Sequence, residues 1–228
     1  MGSIQQMQGT SHVQLGREPE SESDDNSEQQ EIHEYSQISR TLDLEMREHV
    51  TAFSQLVNKS DKRAEHAMRK IRIKHPIFHM LTINAFKYLF ESGMLLKVKP
   101  GQCVYKEYQP AKAHVYFVIY GQMEFKNSQV GKFGEILGLG WTIGEEILYS
   151  DDDDTEIQRL ENCISIGNSC LLQLSVNDLI MMSNQKHIMG GGQNLEQDYR
   201  VLLSFLEKNY EVKSGWRKDK GLLAKIKE

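Results

Sequence analysis

Between Met94 and Leu174 the chain consists of short apolar runs that turn-forming residues repeatedly interrupt. The interruptions include Pro100-Gly101, Gly121, Asn127-Ser128, Gly131, Gly134 and Gly167-Asn168. The clearest run, Val115–Tyr120, is β-branched and aromatic and is followed by Gly121, which is typical of a buried strand that enters a turn. Short strands at fairly regular intervals, with no long helical pattern between them, predict an antiparallel sandwich or barrel rather than an α/β sheet.

Helical patterns precede this region. Apolar residues recur at spacings of three and four from Ile38 to Ile71, with an interruption at residues 58–61. This spacing predicts one amphipathic helix, or two helices with Ser60 as the N-cap of the second. A shorter pattern from Phe78 to Phe90 predicts another helix before the strands begin.

Helical patterns also follow the strands, at Asn177–Asn184 and Asn194–Tyr210, with Gly190-Gly191-Gly192 between them. The predicted fold class is therefore mainly β, with an antiparallel β-roll that has helices before and after it. We divide the chain into a tail (1–34), an amphipathic helical segment (35–75), the β-roll (76–185) and a linker with C-terminal helices (186–228).

The tail is strongly acidic. Residues 1–34 contain eight acidic side chains and one basic side chain, Arg17, among many Gln and Ser residues. Such a composition buries too little apolar surface to offset the entropy of ordering, so we expect disorder there. Removing the tail's formal charge of -7 from the chain's -5 leaves about +2 on residues 35–228, a balance that does not favour a nucleic-acid partner.

Cysteine usage and hydropathy bear on the cellular compartment. Cys103, Cys163 and Cys170 are an odd number, form no Cys-x-x-Cys pair and lie in apolar runs, so buried free thiols in a reducing compartment are expected. No run approaches the roughly 18 apolar residues of a membrane span, and the N-terminus has no apolar signal core. The expected location is cytoplasmic, either cytosolic or cytoskeletal.

Several segments, taken in order, resemble the cyclic nucleotide-binding domain family. They are Phe78 and Leu81 in an entry helix, Pro100–Tyr105 as an early turn and strand, Tyr116–Met123 as the characteristic strand and turn, Ile143-Gly144-Glu145 at the family's Phe-Gly-Glu, Arg159 at the arginine of its phosphate cassette, and Asn168–Leu174 as the closing strand. The resemblance covers residues 76–185, about half of the chain. It implies a β-roll and a non-catalytic regulatory or sensor module with cAMP or cGMP as the ligand.

The resemblance also implies a binding site formed by Gly144, Glu145, Glu146, Ile147 and Arg159. The chemistry of the ligand fits these residues. A cyclic phosphate carries one negative charge, which a forked guanidinium such as that of Arg159 binds with two parallel hydrogen bonds. A ribose hydroxyl needs an acceptor, which the carboxylate of Glu145 supplies. The N–H groups of Glu146, Ile147 and Leu148 are expected to face the phosphate.

The sequence departs from the family pattern at this site. The segment between Glu145 and Arg159 is long and contains four consecutive aspartates at 151–154, which raise the negative potential beside an anion. Bulkier residues replace the family's small ones at Glu146-Ile147 and Leu160-Glu161. These residues are compatible with a pocket that still binds a cyclic nucleotide and with one that has become structural or accepts a different ligand. They predict weak or no binding of cAMP and cGMP.

A rival assignment places the site at Phe133-Gly134-Glu135-Ile136, which matches the letters of the family motif better. It leaves too short a connection after Gly121 and puts Arg159 farther away, so the site at Glu145 is preferred.

Enzyme motifs are absent from the sequence. There is no Gly-x-Ser-x-Gly elbow and no Gly-Lys-Ser/Thr phosphate loop, and Pro76 lies between His75 and His79, which makes a metal site there improbable.

A second function, from another class, is a scaffold subunit of a ciliary, axonemal or other cytoskeletal assembly. Residues 62–74 are rich in Lys and Arg, and seven more basic residues lie between Lys208 and Lys227. Such basic helices are compatible with a solvated face and with docking onto an acidic protein surface. The resemblance is what implies a cilium or axoneme as the location and tubulin as the acidic partner. The segment from Leu202 to Ile226 also resembles the entry helices of a second domain of the same family; its alternative interpretation is a C-terminal helix packed on its own β-roll.

Overall fold

The computed structural model describes residues 40–53, 62–149, 157–184 and 195–222. All four ranges belong to one compact unit, residues 40–228. Four features of the sequence prediction lie outside the described residues: the acidic tail 1–34, the N-cap Ser60, the aspartate run 151–154 and the glycines 190–192.

The helices lie at the two ends of the described chain. Their bounds are 40–53 for the described part of α1, Lys62–Lys74 for α2, Ile83–Ser92 for α3, Val176–Asn184 for α4 and Leu195–Asp219 for α5. A short 3₁₀ helix, Phe78–Met80, precedes α3. The single helix predicted from Phe78 to Phe90 is thus divided, because Leu81 is extended and Thr82 caps α3 by accepting a hydrogen bond from the N–H of Ala85.

Eight strands lie between α3 and α4 and form two four-stranded sheets. Their bounds are Met94–Val98 (β1), Cys103–Tyr105 (β2), His114–Tyr120 (β3), Met123–Asn127 (β4), Gly131–Leu137 (β5), Thr142–Ile143 (β6), Asn162–Ser165 (β7) and Ser169–Ser175 (β8). The strand orders are β1-β8-β3-β6 and β2-β7-β4-β5, and every pairing is antiparallel. The antiparallel β-roll with helices before and after it, which the sequence predicted, is confirmed.

The apolar core has two parts. The larger part joins the helices to β3 and β8 through rings such as Phe78, Phe86 and Phe117. The smaller part lies within the roll and includes Phe125, Phe133 and, beyond α5, Leu222. Strand β3 contributes to both parts because it is buried on both faces, which explains why its sequence is a continuous apolar run rather than an alternating one.

The last helix is longer than the sequence predicted. The predicted helix ended at Tyr210, whereas α5 continues through Gly215 to Asp219. A glycine inside a helix costs roughly 1 kcal/mol relative to alanine. The residues on either side of Gly215 contact the roll, and this packing offsets that cost. Of the two interpretations of the C-terminal segment, the described residues form the helix packed on its own roll.

Gly121, at the end of β3, provides a test of this packing. Its φ is +86°, and a Cβ atom added there would lie 2.5 Å from the Cα of Ser169. We expect Gly121→Ala to lower the free energy of unfolding by about 2 to 3 kcal/mol, from the left-handed backbone and the clash together. Gly101→Ala is the matched control, because its φ is +73° but nothing lies within 4 Å of the added Cβ. Equal losses in urea unfolding of the two variants would contradict the close approach at Gly121.

Candidate functional site

The site begins at the turn after β6. Gly144 has a φ of +88°, and a Cβ atom added there would lie 2.8 Å from the carbonyl oxygen of His114 and 3.3 Å from both terminal nitrogens of the Arg159 guanidinium. Any other residue would therefore be strained and crowded. Gly144 caps the short 3₁₀ helix Glu145–Leu148, and this turn brings two consecutive glutamates close to Arg159.

Arg159 is engaged within the chain. Its side chain is 2% exposed and forms an ion pair with Glu146, whose side chain is 14% exposed. The guanidinium carbon lies 4.3 Å from the centre of the Tyr105 ring, which is cation–π distance. The Arg159 guanidinium, to which the resemblance assigned a phosphate, thus donates a hydrogen bond to the carboxylate of Glu146 in the turn after Gly144.

Glu145 is likewise engaged. Its side chain is wholly buried and forms an ion pair with Lys213 of α5, which is wholly buried as well. Lys213 Nζ also donates a hydrogen bond of 2.6 Å to the carbonyl oxygen of Thr142. The second carboxylate oxygen of Glu145, Oε2, accepts no hydrogen bond from the described residues.

A third pair joins Glu161 to Arg217, one helical turn after Lys213 on α5. The guanidinium donates two hydrogen bonds to the carboxylate, from Nε at 3.1 Å and from Nη2 at 2.6 Å. The hydroxyl of Tyr105 donates a further bond of 3.2 Å to Glu161. Arg217 Nη2 also lies 3.8 Å from Glu146 Oε2, so this pair and the Arg159 pair form one connected group.

We call these six side chains the ion-pair network: Glu145, Glu146, Glu161, Arg159, Lys213 and Arg217. Three carboxylates face three cations, so its formal charge is zero. Burial tends to raise the pKa of Glu146, but the cations Arg217, Arg159 and Lys213 outweigh it and hold that pKa below its ordinary value. Burial, followed by the charge of Glu161, raises the pKa of Tyr105 well above its ordinary value, so its hydroxyl remains a donor.

An aromatic contact lies beside the network. Trp216 packs on Gly134 of β5 so closely that a Cβ atom there would lie 2.4 Å from its ring, and the ring centre of Trp141 is 5.4 Å from that of Trp216. Gly134 belongs to the rival assignment of the sequence analysis. Its neighbour Glu135 is exposed on a strand, not in a turn facing Arg159.

The structure brings together Gly144, Glu145, Glu146 and Arg159, while the half-buried Ile147 packs against the helical core. Sequence reasoning did not anticipate Lys213 and Arg217 as members of the site. Their spacing of four residues on a predicted helix was a signal that both lie on one helical face. That this face meets the carboxylates of the roll depends on tertiary packing.

Other kinds of site receive no support from the described ranges. In those ranges no helix is long and apolar enough to cross a membrane, and no group of three or more His, Cys, Asp or Glu side chains is placed to hold a metal ion. Cys163 and Cys170 are buried free thiols, and Cys103 is a partly buried one.

No protein-family model and no curated protein matches the chain. Solved structures do. A cyclic nucleotide-binding-like protein from Brucella abortus is 18% identical over 49% of this chain and 93% of that chain, with a TM-score of 0.38. A putative cyclic nucleotide-binding protein from Geobacter metallireducens is 15% identical over 62% of this chain and 93% of that chain, with a TM-score of 0.45.

The catabolite activator protein of Thermus thermophilus is 17% identical over 67% of this chain and 63% of that chain, with a TM-score of 0.45. At these identities the likeness concerns the fold and says nothing of the ligand.

Proposed function

We propose that this chain is a non-catalytic regulatory module of the cyclic nucleotide-binding type whose nucleotide site is filled by its own side chains. One observation carries the proposal. The two side chains assigned to the ligand, Arg159 and Glu145, are both buried and are bonded to Glu146 and Lys213 of the same chain. The module then works through its protein surfaces without a cyclic nucleotide.

The energetics of displacement support this function. A cyclic phosphate would have to replace the Glu146 carboxylate at Arg159. Glu146 is tethered to the adjoining turn, so it competes at an effective concentration on the order of millimolar or above. The displaced carboxylate would remain in a largely buried position, where an unpaired charge costs several kcal/mol.

The test is isothermal titration calorimetry of the full chain with cAMP and with cGMP. We expect no binding tighter than about 1 mM for either nucleotide, because neither can recover the free energy of the ion pairs that it breaks. Glu146→Gln is the informative variant, since it frees Arg159 of its counter-charge while keeping the side-chain shape. Micromolar or tighter binding by the unaltered chain that Arg159→Ala abolishes would refute a self-filled site.

The scaffold function is a weaker candidate. At least three of the six cations on α2 already have partners within the chain. Arg69 bonds to a glutamate one turn earlier, Arg72 donates to the carbonyl oxygen of Leu81, and Lys74 pairs with Glu45. Less of the basic surface is thus left for tubulin or another axonemal partner. Co-sedimentation with microtubules that disappears on neutralising α2 would favour it.

A further inference from the structure

Helix α5 is attached in two different ways along its length. In its first half, Leu202 and Leu206 are wholly buried in the apolar core, and Asp198 accepts two hydrogen bonds of 2.7 Å from Thr82. This half is held mainly by apolar burial, which specifies little beyond shape.

The second half of α5 is attached mainly by charge. Lys213 and Arg217 reach the buried carboxylates of the roll, and Trp216 packs on Gly134. In addition, the Tyr210 ring stacks on Tyr149 at 4.8 Å between ring centres. Directional contacts of this kind specify a pattern of side chains, namely two cations one turn apart with an aromatic ring beside the second.

The receiving surface on the roll is acidic. Without α5, the network retains the carboxylates of Glu145, Glu146 and Glu161 and one guanidinium, that of Arg159, which gives a formal charge of −2. Buried carboxylates require cationic partners, because an unpaired charge in this environment is costly. Glu145 Oε2 is an acceptor that even Lys213 leaves without a hydrogen bond from the described residues.

We propose that this acidic pocket of the roll is a docking site for a basic helix of a partner protein and that the second half of α5 is its tethered occupant. The proposal rests on the proposed function, since it names the ligand class of the self-filled site. The fit is chemical. Two cations four residues apart lie on one face of a helix and reach Glu145 and Glu161, and an aromatic side chain before the second cation covers Gly134.

The experiment measures binding of a fluorescein-labelled peptide with the sequence of residues 195–222 to the full-length chain by fluorescence anisotropy. In the receiving protein, Lys213→Ser and Arg217→Ser together remove the cations of its own α5. We expect the peptide to bind this double variant at least about tenfold more tightly than it binds the unaltered chain, whose pocket is occupied. A peptide with the same two substitutions is the matched control and is expected to lose at least about tenfold in affinity.

Circular dichroism establishes that the receiving protein is folded. If the double variant does not fold, Trp216→Ala in the full chain replaces it, because this change weakens the same attachment and leaves the charges in place. Equal affinity of the two peptides, or no binding of either to a folded variant, would overturn the proposal. If sedimentation shows that the unaltered chain dimerises through α5, the occupant of the pocket is a second copy of this chain. That result would also overturn the proposal of a partner protein's helix.

The proposed function can fail separately. It fails if the unaltered chain binds cAMP or cGMP through Arg159, whatever the peptide does. The docking proposal fails if the peptide does not bind while the nucleotide titration remains flat.

Discussion

Arg159→Met is expected to lower the free energy of unfolding by about 3 to 5 kcal/mol in urea denaturation. The change removes the nearest cation from Glu146, whose remaining cationic contact among the described residues is Arg217 at 3.8 Å. Removing one member of a buried ion pair leaves an uncompensated charge, which costs several kcal/mol more than the pair itself contributes. Methionine retains much of the side-chain volume, so the loss reports on charge rather than on a cavity.

Two controls accompany this variant. Adding Glu146→Gln to Arg159→Met removes the orphaned charge and is expected to recover most of the loss. Arg69→Met breaks an ion pair whose two side chains are more than half exposed, and we expect a change of no more than about 0.5 kcal/mol. A loss below about 1 kcal/mol for Arg159→Met would mean that Arg159 has little structural role, as expected of an arginine kept for a ligand.

His75→Ala is expected to lower the free energy of unfolding by a similar amount, about 3 to 5 kcal/mol. His75 is wholly buried and stacks on Phe78 with ring centres 4.0 Å apart. Its Nδ1 accepts from the N–H groups of Ile77 and Phe78, and its Nε2 lies 3.1 Å from the carbonyl oxygen of Val118. Alanine would leave a cavity and three buried backbone groups without these partners.

His79 supplies the matched control for His75. It lies one turn further along the chain and is exposed. His79→Ala is therefore expected to change the free energy of unfolding by no more than about 0.5 kcal/mol. Comparable losses for the two variants would show that the buried position of His75 does not stabilise the fold.

The same histidine predicts a pH dependence. Burial lowers the pKa of His75 from 6.5 to about 3. The unfolded chain therefore binds the proton first, and stability falls as the pH decreases from 6.5 towards 3. Between pH 7.5 and 5.5 this group should cost about 1.4 kcal/mol. The measured quantity is the difference between the unaltered chain and His75→Asn, and parallel pH curves for the two would contradict the low pKa.

Much of the fold follows from local patterns in the sequence. The apolar run Val115–Tyr120 followed by a glycine specified a buried strand and turn, and β3 with Gly121 is that element. The division of the predicted helix at Leu81 did not follow from the local sequence pattern. Thr82 caps α3 and donates to Asp198 of α5, which lies 116 residues away, and periodicity over a short window carries no information on such a partner.

For the candidate site, the sequence indicated which residues form the turn but not which side chains they contact. Gly144, Glu145 and Arg159 were identified by their order along the chain, and the bulk of Glu146 and Glu161 was recognised as a departure. The order of residues along the chain did not reveal which cation pairs with each carboxylate. Lys213 and Arg217 lie more than fifty residues downstream, and their side chains appeared as part of an ordinary basic segment.

The sequence by itself determined the order of helices, strands and helices, because backbone propensity and apolar spacing act over neighbouring residues. Through the resemblance it also indicated which residues are candidates for holding a cyclic phosphate. Tertiary structure decided which side chains these residues contact. Packing of α5 against the roll places two buried cations beside buried carboxylates, where loss of one partner leaves an uncompensated charge. The candidate ligand residues Arg159 and Glu145 are thereby paired with Glu146 and Lys213 of the same chain.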